Sequence, residues 1–164
     1  MPLTLVVETG AGLANANAFA SRVTVGERLE ASPYAEAWAG VDAAKQDQCI
    51  AEATRWLSSL SWDGVPTTRT QALAFPRAWM YRPDGYAIAS NLIAPWLIDA
   101  TARLAFWLSQ QENPYVSNGL QPGTELQLPG GLRLTPGSSS QLPIDVRQLI
   151  RPYLSGGGSS LVRA

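Results

Sequence analysis

The sequence predicts a mainly α-helical protein: a small helical bundle with a long ordered loop, one β-hairpin and extended N- and C-terminal arms. Two stretches, at about 43–60 and 95–110, repeat apolar residues every three or four positions, which is the spacing of a helix with a buried face. A third stretch, 126–134, alternates leucines with other residues on both sides of a Pro-Gly-Gly turn, which is typical of a β-hairpin.

Four segments are expected along the 164 residues. They are an N-terminal arm at 1–20, a helical core at 21–112, a β-hairpin with its linker at 113–142, and a short helix with a flexible tail at 143–164. One short strand is predicted within the arm, at Leu3–Glu8. The total length suits a single domain.

The first two helices are predicted from the residues at their ends. Ser21 precedes a helix that ends at Ser32-Pro33, and Asp42 precedes the amphipathic helix at 43–60. Serine and aspartate side chains accept hydrogen bonds from the first unpaired N–H groups of a helix. A proline disfavours the helical conformation of the residue before it, so it marks the end of the first helix.

The third helix, at 95–110, is predicted to lie at the centre of the bundle or in a subunit interface, because it is apolar on most sides. Pro95 suits its first turn, where the missing N–H has no partner to lose. Asp99 and Arg103 are four residues apart with the acid first, so an ion pair between them is expected.

A long loop is predicted at 65–91, because Pro66, Pro76 and Pro83 prevent this stretch from forming one helix. Loops of this length in a compact domain are usually functional or disordered, and the aromatic content argues against disorder. The side chains expected to hold the loop in place are Trp62, Phe75, Trp79, Tyr81 and Tyr86.

The composition disfavours an enzyme. The chain has no histidine, which removes the commonest general base and a common zinc ligand. Its one cysteine, Cys49, lies on the apolar face of a predicted helix and is expected to be a core residue. The carboxylates are scattered, and the glycine clusters do not match a phosphate-binding loop. We therefore expect no catalysis, no cofactor and no metal.

The charge balance gives little support for nucleic-acid binding. The net charge is −1, whereas a DNA-binding domain usually has a basic excess or a basic face. Charged residues make up only 15% of the chain, so apolar surface that partners cover is plausible. Almost all basic residues are arginines, which suits protein interfaces and would equally follow from a GC-rich genome.

Two groups of residues are candidate contacts with partners, one in the long loop and one near the C-terminus. The loop group could stack on bases or form a protein interface, and the acidic pI favours the protein interface. The candidates are Arg77, Trp79, Tyr81 and Arg82 in the loop, and Arg147, Arg151, Tyr153, Leu161, Val162 and Arg163 near the C-terminus.

Five segments together resemble a known family: VVETGAGLANANAFAS, AEATRWLSSLSWDG, QALAFPRA, PWLIDATARLA and the ending DVRQLIRPYLSGGGSSLVR. The family resembled is a phage family of DnaT-like single-stranded DNA-binding proteins, over about residues 5–110 and the C-terminal segment. Phe75 stands where the family is expected to have tryptophan, and 16–18 where a Ser-Tyr step is usual. The signature positions are Trp62, Gly64, Gln71, Leu73, Phe75, Pro76, Arg77, Pro95, Ala100 and Leu104.

The resemblance implies a structural virion protein, because members of the family look like head-to-tail connectors (adaptor or head-completion proteins). The expected protein is made in the host cytoplasm and located in the virion neck, away from any membrane. It would form a homo-oligomeric ring of twelve subunits that binds the portal protein and a tail, stopper or terminator protein, with packaged DNA in the lumen. The alternative is a single-stranded DNA-binding protein of phage replication or packaging. Apart from the resemblance, the apolar-basic ending Leu161-Val162-Arg163 predicts that the tail at 155–164 becomes ordered on binding the portal or a neighbouring subunit, with a frayed terminus as the alternative.

Overall fold

The computed structural model describes residues 3–111, the strand pairs at 126–127 and 133–134, and residues 142–156. Within these ranges the protein is mainly helical, which confirms the predicted fold class. The helices are α1 (Arg22–Leu29), α2 (Ala35–Ala39), α3 (Ala43–Ser58), α4 (Pro95–Ser109) and α5 (Ile144–Ile150), with a 3₁₀ turn at Arg151–Tyr153. The strands are β1 (Val65–Pro66), β2 (Arg77–Ala78), β3 (Leu126–Gln127) and β4 (Arg133–Leu134).

The helix starts follow from the capping residues. The Ser21 hydroxyl accepts a hydrogen bond from the backbone N–H of Thr24 at 3.1 Å, and the Asp42 carboxylate accepts one from Ala44 at 3.0 Å. Both predicted caps are confirmed. Helix α4 begins at Pro95 as predicted, without a side-chain cap.

Helix α4 lies at the centre of the core, packed against α3, α1 and α5. Ala100 and Leu104 are fully buried on it, and the Thr101 hydroxyl avoids an unpaired buried donor by bonding to the carbonyl of Leu97 at 2.8 Å. Cys49 of α3 is a buried core residue, as expected, and burial raises the pKa of its thiol.

The predicted ion pair between Asp99 and Arg103 is wrong. Asp99 pairs with Arg28 of α1 at 3.3 Å, and Arg103 pairs with Asp145 of α5 at 3.5 Å. Opposite charges on α1 and α5 are within reach, so Asp99 and Arg103 each form an ion pair with a residue of a flanking helix. An exposed pair within one helix contributes only about 0.3–0.5 kcal/mol, which is too little to prevent this.

The strand predicted at Leu3–Glu8 is reduced to one bridge between Val7 and Ala18. The Asn17 side chain takes the place of a partner strand for part of this segment. Its Oδ1 accepts from the N–H of Val6 at 2.7 Å, and its Nδ2 donates to the carbonyl of Thr4 at 2.9 Å.

A buried carboxylate organises the loop that follows. Glu8 is 2% exposed. Its oxygens accept hydrogen bonds from the backbone N–H groups of Gly10, Gly12 and Leu13 at 2.9, 2.9 and 2.7 Å. Gly10 lies so close to the Asn91 backbone that a Cβ would collide with it. Glu8 therefore fixes the N-terminal loop where it contacts the end of the long loop.

The C-terminal part of the described chain returns to the start of the long loop. Leu154 forms an antiparallel bridge with Trp62. The N–H of Ser155 donates to the carbonyl of Ser61, and the N–H of Asp63 donates to the carbonyl of Tyr153, both at 3.0 Å. The short helix expected at 143–151 is present as α5.

The hairpin expected at 126–134 has its strands in place, since β3 and β4 pair antiparallel with Leu126 opposite Leu134. The turn between them, the linker at 137–141 and the tail from 157 lie outside the described residues. Within the part of the chain that the structure describes, no helix is both long and apolar enough to cross a membrane.

Replacing Glu8 with glutamine should lower the free energy of unfolding by about 1–3 kcal/mol. The amide keeps one acceptor oxygen but turns an NH₂ group toward backbone N–H donors, which leaves buried groups unpaired. Urea denaturation followed by circular dichroism measures the change. Glu27→Gln on the exposed face of α1 is the matched control, and equal unfolding midpoints for the two variants would contradict the role given to Glu8.

Candidate nucleic-acid interface

The Arg77 guanidinium holds the start of the long loop together. Its Nε donates to the carbonyl of Asp63 at 2.8 Å, and its Nη2 donates to those of Gly64 and Trp62 at 2.8 and 3.3 Å. Its Nη1 donates to the carbonyl of Ala74 at 3.3 Å. Burial lowers the pKa of Arg77, and the charge of Asp63 partly opposes this. This arginine therefore fixes the 62–64 turn against β2, and its donors face the chain itself.

The Gln71 amide orders the segment between β1 and β2. Its Oε1 accepts from the N–H of Thr68 at 3.0 Å, and its Nε2 donates to the carbonyls of Leu73 and Pro76 at 2.8 and 3.1 Å. The peptide bond before Pro76 is cis. The signature positions from Gln71 to Arg77 thus build the loop, since their polar groups bond within it.

An aromatic cluster lies beneath this loop. The Trp62 and Phe75 rings meet edge to face with centroids 5.0 Å apart, and the Tyr153 ring stacks on Trp96 at 4.0 Å. The Trp62 indole N–H donates to the carbonyl of Leu57 at 2.8 Å. These rings form part of the core, so Tyr153, expected to contact a partner, is placed in the core with 9% of its surface exposed.

Gly64 is required where β1 approaches β2. Its φ is +70°, and a Cβ there would collide with the carbonyl oxygen of Ala78. Only glycine adopts this conformation without steric cost. The close approach allows Val65 to pair with Ala78, and the chain passes from there directly into Trp79.

Trp79 projects into solvent from a left-handed backbone. Its φ is 62°, a region that costs a residue with a side chain of order 1–3 kcal/mol and that often marks a functional position. The side chain is 74% exposed. An indole this exposed contributes little to the core, so the surrounding structure holds Trp79 in this conformation.

A hairpin follows Trp79. The N–H of Ile88 donates to the carbonyl of Met80 at 2.9 Å, and the N–H of Arg82 donates to the carbonyl of Tyr86 at 2.8 Å. The N–H of Gly85 donates to the carbonyl of Arg82 at 2.8 Å and closes the turn, and the φ of Gly85 is +88°. The sequence Pro-Asp-Gly suits such a turn, because proline presets φ and glycine accepts a positive one.

Three aromatic rings gather on this segment in solvent. Trp79, Tyr81 and Tyr86 are 74%, 55% and 71% exposed, and we call them the aromatic surface. Tyr81 and Tyr86 lie on the two strands of the hairpin, whose tip is bonded through the backbone. Among the expected loop supports, only Trp62 and Phe75 are buried. The expectation that the other three hold the loop in place is therefore wrong.

Charges at the hairpin tip complete this region. Arg82 and Asp84 form an ion pair with an N–O distance of 2.6 Å. Burial raises the pKa of the Tyr153 phenol, the charge of Arg82 lowers it and that of Asp84 raises it. Both charges of the tip therefore act on the phenol whose ring stacks on Trp96.

A concave region, separate from the hairpin, lies near the C-terminal end of α4. This groove of about 570 Å³ is formed by the α1–α2 connection, α4 and the start of α5. Tyr34, half exposed, stacks on Phe106 at 4.9 Å in it. Its two arginines, Arg28 and Arg103, pair with carboxylates as Arg82 does. Because Phe106 covers one face of its exposed ring, this groove offers fewer open aromatic faces than the hairpin does.

The remaining predicted contact residues lie apart from the aromatic surface or outside the described residues. Arg147 of α5 is exposed and donates to the carbonyl of Leu142 at 3.3 Å, and Arg151 is exposed at the start of the 3₁₀ turn. Leu161, Val162 and Arg163 lie outside the described residues. No group of three or more histidine, cysteine, aspartate or glutamate side chains suited to a metal occurs within 3–111 and 142–156.

Two residues of the region were missed as functional candidates. Tyr86 was expected only to support the loop, and Asp84 was counted only among the scattered carboxylates. The Pro-Asp-Gly turn signal could have revealed both, because a hairpin over 80–88 places Tyr86 opposite Arg82 and Asp84 within reach of its guanidinium.

One comparison with known proteins gives a match. The model of the family described as "Putative DnaT-like ssDNA binding protein" matches residues 3–126. No curated protein and no solved structure matches the chain. The family match covers the helical core, the long loop and the aromatic surface.

This match corrects the expected function. The expectation of a head-to-tail connector in the virion is wrong, because the matched family is described by single-stranded DNA binding. The low net charge had weighed against DNA, but it is an average over the whole chain and does not register the exposed aromatic rings that lie together at 79–86. The predicted ring of twelve subunits and the predicted contacts with portal and tail proteins remain untested. The connector function from which they were inferred is wrong.

Replacing Arg77 with lysine should lower the free energy of unfolding by about 1.5–3 kcal/mol although the charge is kept. A lysine ammonium is a compact donor that cannot reach carbonyls of the 62–64 turn and of Ala74 together. Thermal and urea denaturation measure the loss. The matched control is Arg69→Lys, since Arg69 is exposed and makes no hydrogen bond or ion pair with the described residues. Equal stabilities of the two variants would refute the role of the guanidinium.

Proposed function

The chain belongs to the family of DnaT-like single-stranded DNA-binding proteins, and on that premise we propose that it binds single-stranded DNA through its aromatic surface. The observation that carries the proposal is the joint exposure of Trp79, Tyr81 and Tyr86 within eight residues of chain. Aromatic rings in solvent are the surface on which unpaired bases stack, whatever their sequence.

Stacking explains why these rings are exposed. Trp79, Tyr81 and Tyr86 leave large apolar faces in water, which costs free energy that burial would recover. The other exposed aromatic residue of the described chain, Tyr34, has one ring face covered by Phe106. The backbone that carries Tyr81 and Tyr86 is hydrogen-bonded before a ligand arrives, so little backbone entropy is lost on binding.

The distribution of charge supports the same region. Residues 1–61 carry seven acidic and four basic side chains, whereas residues 62–91 carry two aspartates and three arginines. The second segment therefore repels phosphate groups less than the first does. Arg69 and Arg82 are exposed in it, Arg82 in an ion pair with Asp84, whereas Arg77 bonds within the loop.

The proposal also accounts for the small net charge. Proteins that bind single strands combine phosphate contacts with base stacking. A chain with few exposed arginines near the site makes few phosphate contacts, so stacking supplies most of the affinity. The salt dependence is expected to be shallow, because each phosphate contact contributes only about 0.7 to the slope of log K against log salt for single strands.

Replacing Trp79 with alanine should weaken binding to a fluorescein-labelled oligothymidylate about 5- to 100-fold, the loss of one stacked base. Fluorescence anisotropy titrations at low salt measure the dissociation constants. Trp79→Phe keeps a ring and should retain most of the affinity. Because Trp79 is exposed, circular dichroism and the unfolding midpoint should stay close to those of the unchanged protein.

The matched control is Tyr34→Ala, which removes an exposed aromatic ring from the groove near the other end of α4 and should leave the affinity unchanged. An unchanged protein that does not bind the oligonucleotide at low salt would overturn the proposed function. Equal losses for Trp79→Ala and Tyr34→Ala would show binding that does not use the aromatic surface.

A further inference from the structure

At the tip of the hairpin, beside the exposed rings, Asp84 already neutralises the positive charge of Arg82. Arg82 and Asp84 are separated by one proline, and an Nη of the guanidinium lies 2.6 Å from a carboxylate oxygen. Both side chains are exposed, at 59% and 43%. Arg82 follows Tyr81 in the sequence and is paired with Tyr86 across the hairpin. A base stacked on either ring would bring its phosphate toward this guanidinium.

We propose that Asp84 limits the affinity for single-stranded DNA by occupying the Arg82 guanidinium that would otherwise bind a phosphate. This proposal rests on the proposed function and names a residue that sets the affinity of that site. A phosphate must replace the carboxylate on Arg82 and also approach the negative charge of Asp84. Both effects weaken binding, and both disappear when the carboxylate is made neutral.

The ion pair is not needed to form the hairpin. The turn is closed by backbone hydrogen bonds from Gly85 to Arg82 and from Arg82 to Tyr86, both at 2.8 Å. An exposed ion pair adds little to stability. Asp84 Oδ1 also accepts from the N–H of Tyr86 at 3.3 Å, a bond that an asparagine oxygen can make. Asp84→Asn therefore removes the charge and keeps the turn.

A competing carboxylate makes release of the strand easier. Arginine and phosphate form strong charge-assisted hydrogen bonds, which would slow dissociation of each stacked nucleotide. With Asp84 beside Arg82, the guanidinium keeps a partner in both the bound and the free state, so the gain on binding is small. The hairpin then holds DNA chiefly by its rings, and the strand can move over it.

The test compares Asp84→Asn with Asp145→Asn by anisotropy titration of the labelled oligothymidylate across a salt series. Asp145 pairs with Arg103 and is 44% exposed, against 43% for Asp84, so both variants lose one charge from an exposed ion pair. Arg103 of the control pair lies on α4 seven residues from Trp96, about 10 Å along the helix axis. At that distance exposed charges are largely screened at physiological salt.

Asp84→Asn should bind about three- to fivefold tighter than the unchanged protein, with a salt slope steeper by about 0.7 as Arg82 gains a phosphate. Asp145→Asn should change neither value. Arg82→Gln should bind slightly more weakly than the unchanged protein, and the double variant Arg82→Gln with Asp84→Asn should match Arg82→Gln.

The outcomes separate the two proposals. Absence of binding by the unchanged protein overturns the proposed function. Binding by the unchanged protein with equal affinities for Asp84→Asn and Asp145→Asn overturns the role of Asp84 alone. Tighter binding by Asp84→Asn that persists in the double variant also overturns it, because the carboxylate then acts on DNA without Arg82.

Discussion

The hydrogen bonds of the Arg77 guanidinium are the interaction on which the candidate interface depends. One planar group with donors in several directions reaches the carbonyls of the 62–64 turn and of Ala74. Those carbonyls would otherwise lie partly buried without a partner. Arg77 belongs to the strand that continues into Trp79, so the same group that closes the loop also sets where the exposed indole begins.

Features that depend on near neighbours could be predicted from the sequence. Ser21 and Asp42 cap their helices because a capping bond joins residues two or three positions apart. The burial of α4 follows from its own apolar periodicity, and glycine at position 64 is consistent with a turn that needs a positive φ. In each case the signal lies within one short stretch of the sequence.

Features that depend on distant partners could not be predicted. Phe75 and Trp79 are both aromatic residues of one loop, yet Phe75 is buried against Trp62 and Trp79 stands in solvent. The difference comes from the Arg77 bonds and the left-handed backbone, which no local pattern encodes. Asp99 likewise finds its partner on another helix. DNA binding was underrated for a related reason. The net charge of the chain is an average over its whole surface, whereas a ligand contacts only one part of it.

The bridge between Trp62 and Leu154 has a consequence for the order of events during synthesis. Trp62 leaves the ribosome about ninety residues before Leu154, Tyr153 and the stack on Trp96 can form. Domains fold as units while a chain is being made, so the turn beneath the hairpin stays incomplete until nearly all the described residues have emerged. A nascent chain that already displays Trp79 would lack the Trp62–Leu154 bridge and the Trp96–Tyr153 stack, so the proposed surface for single-stranded DNA is complete only after the C-terminal part of the described chain has emerged.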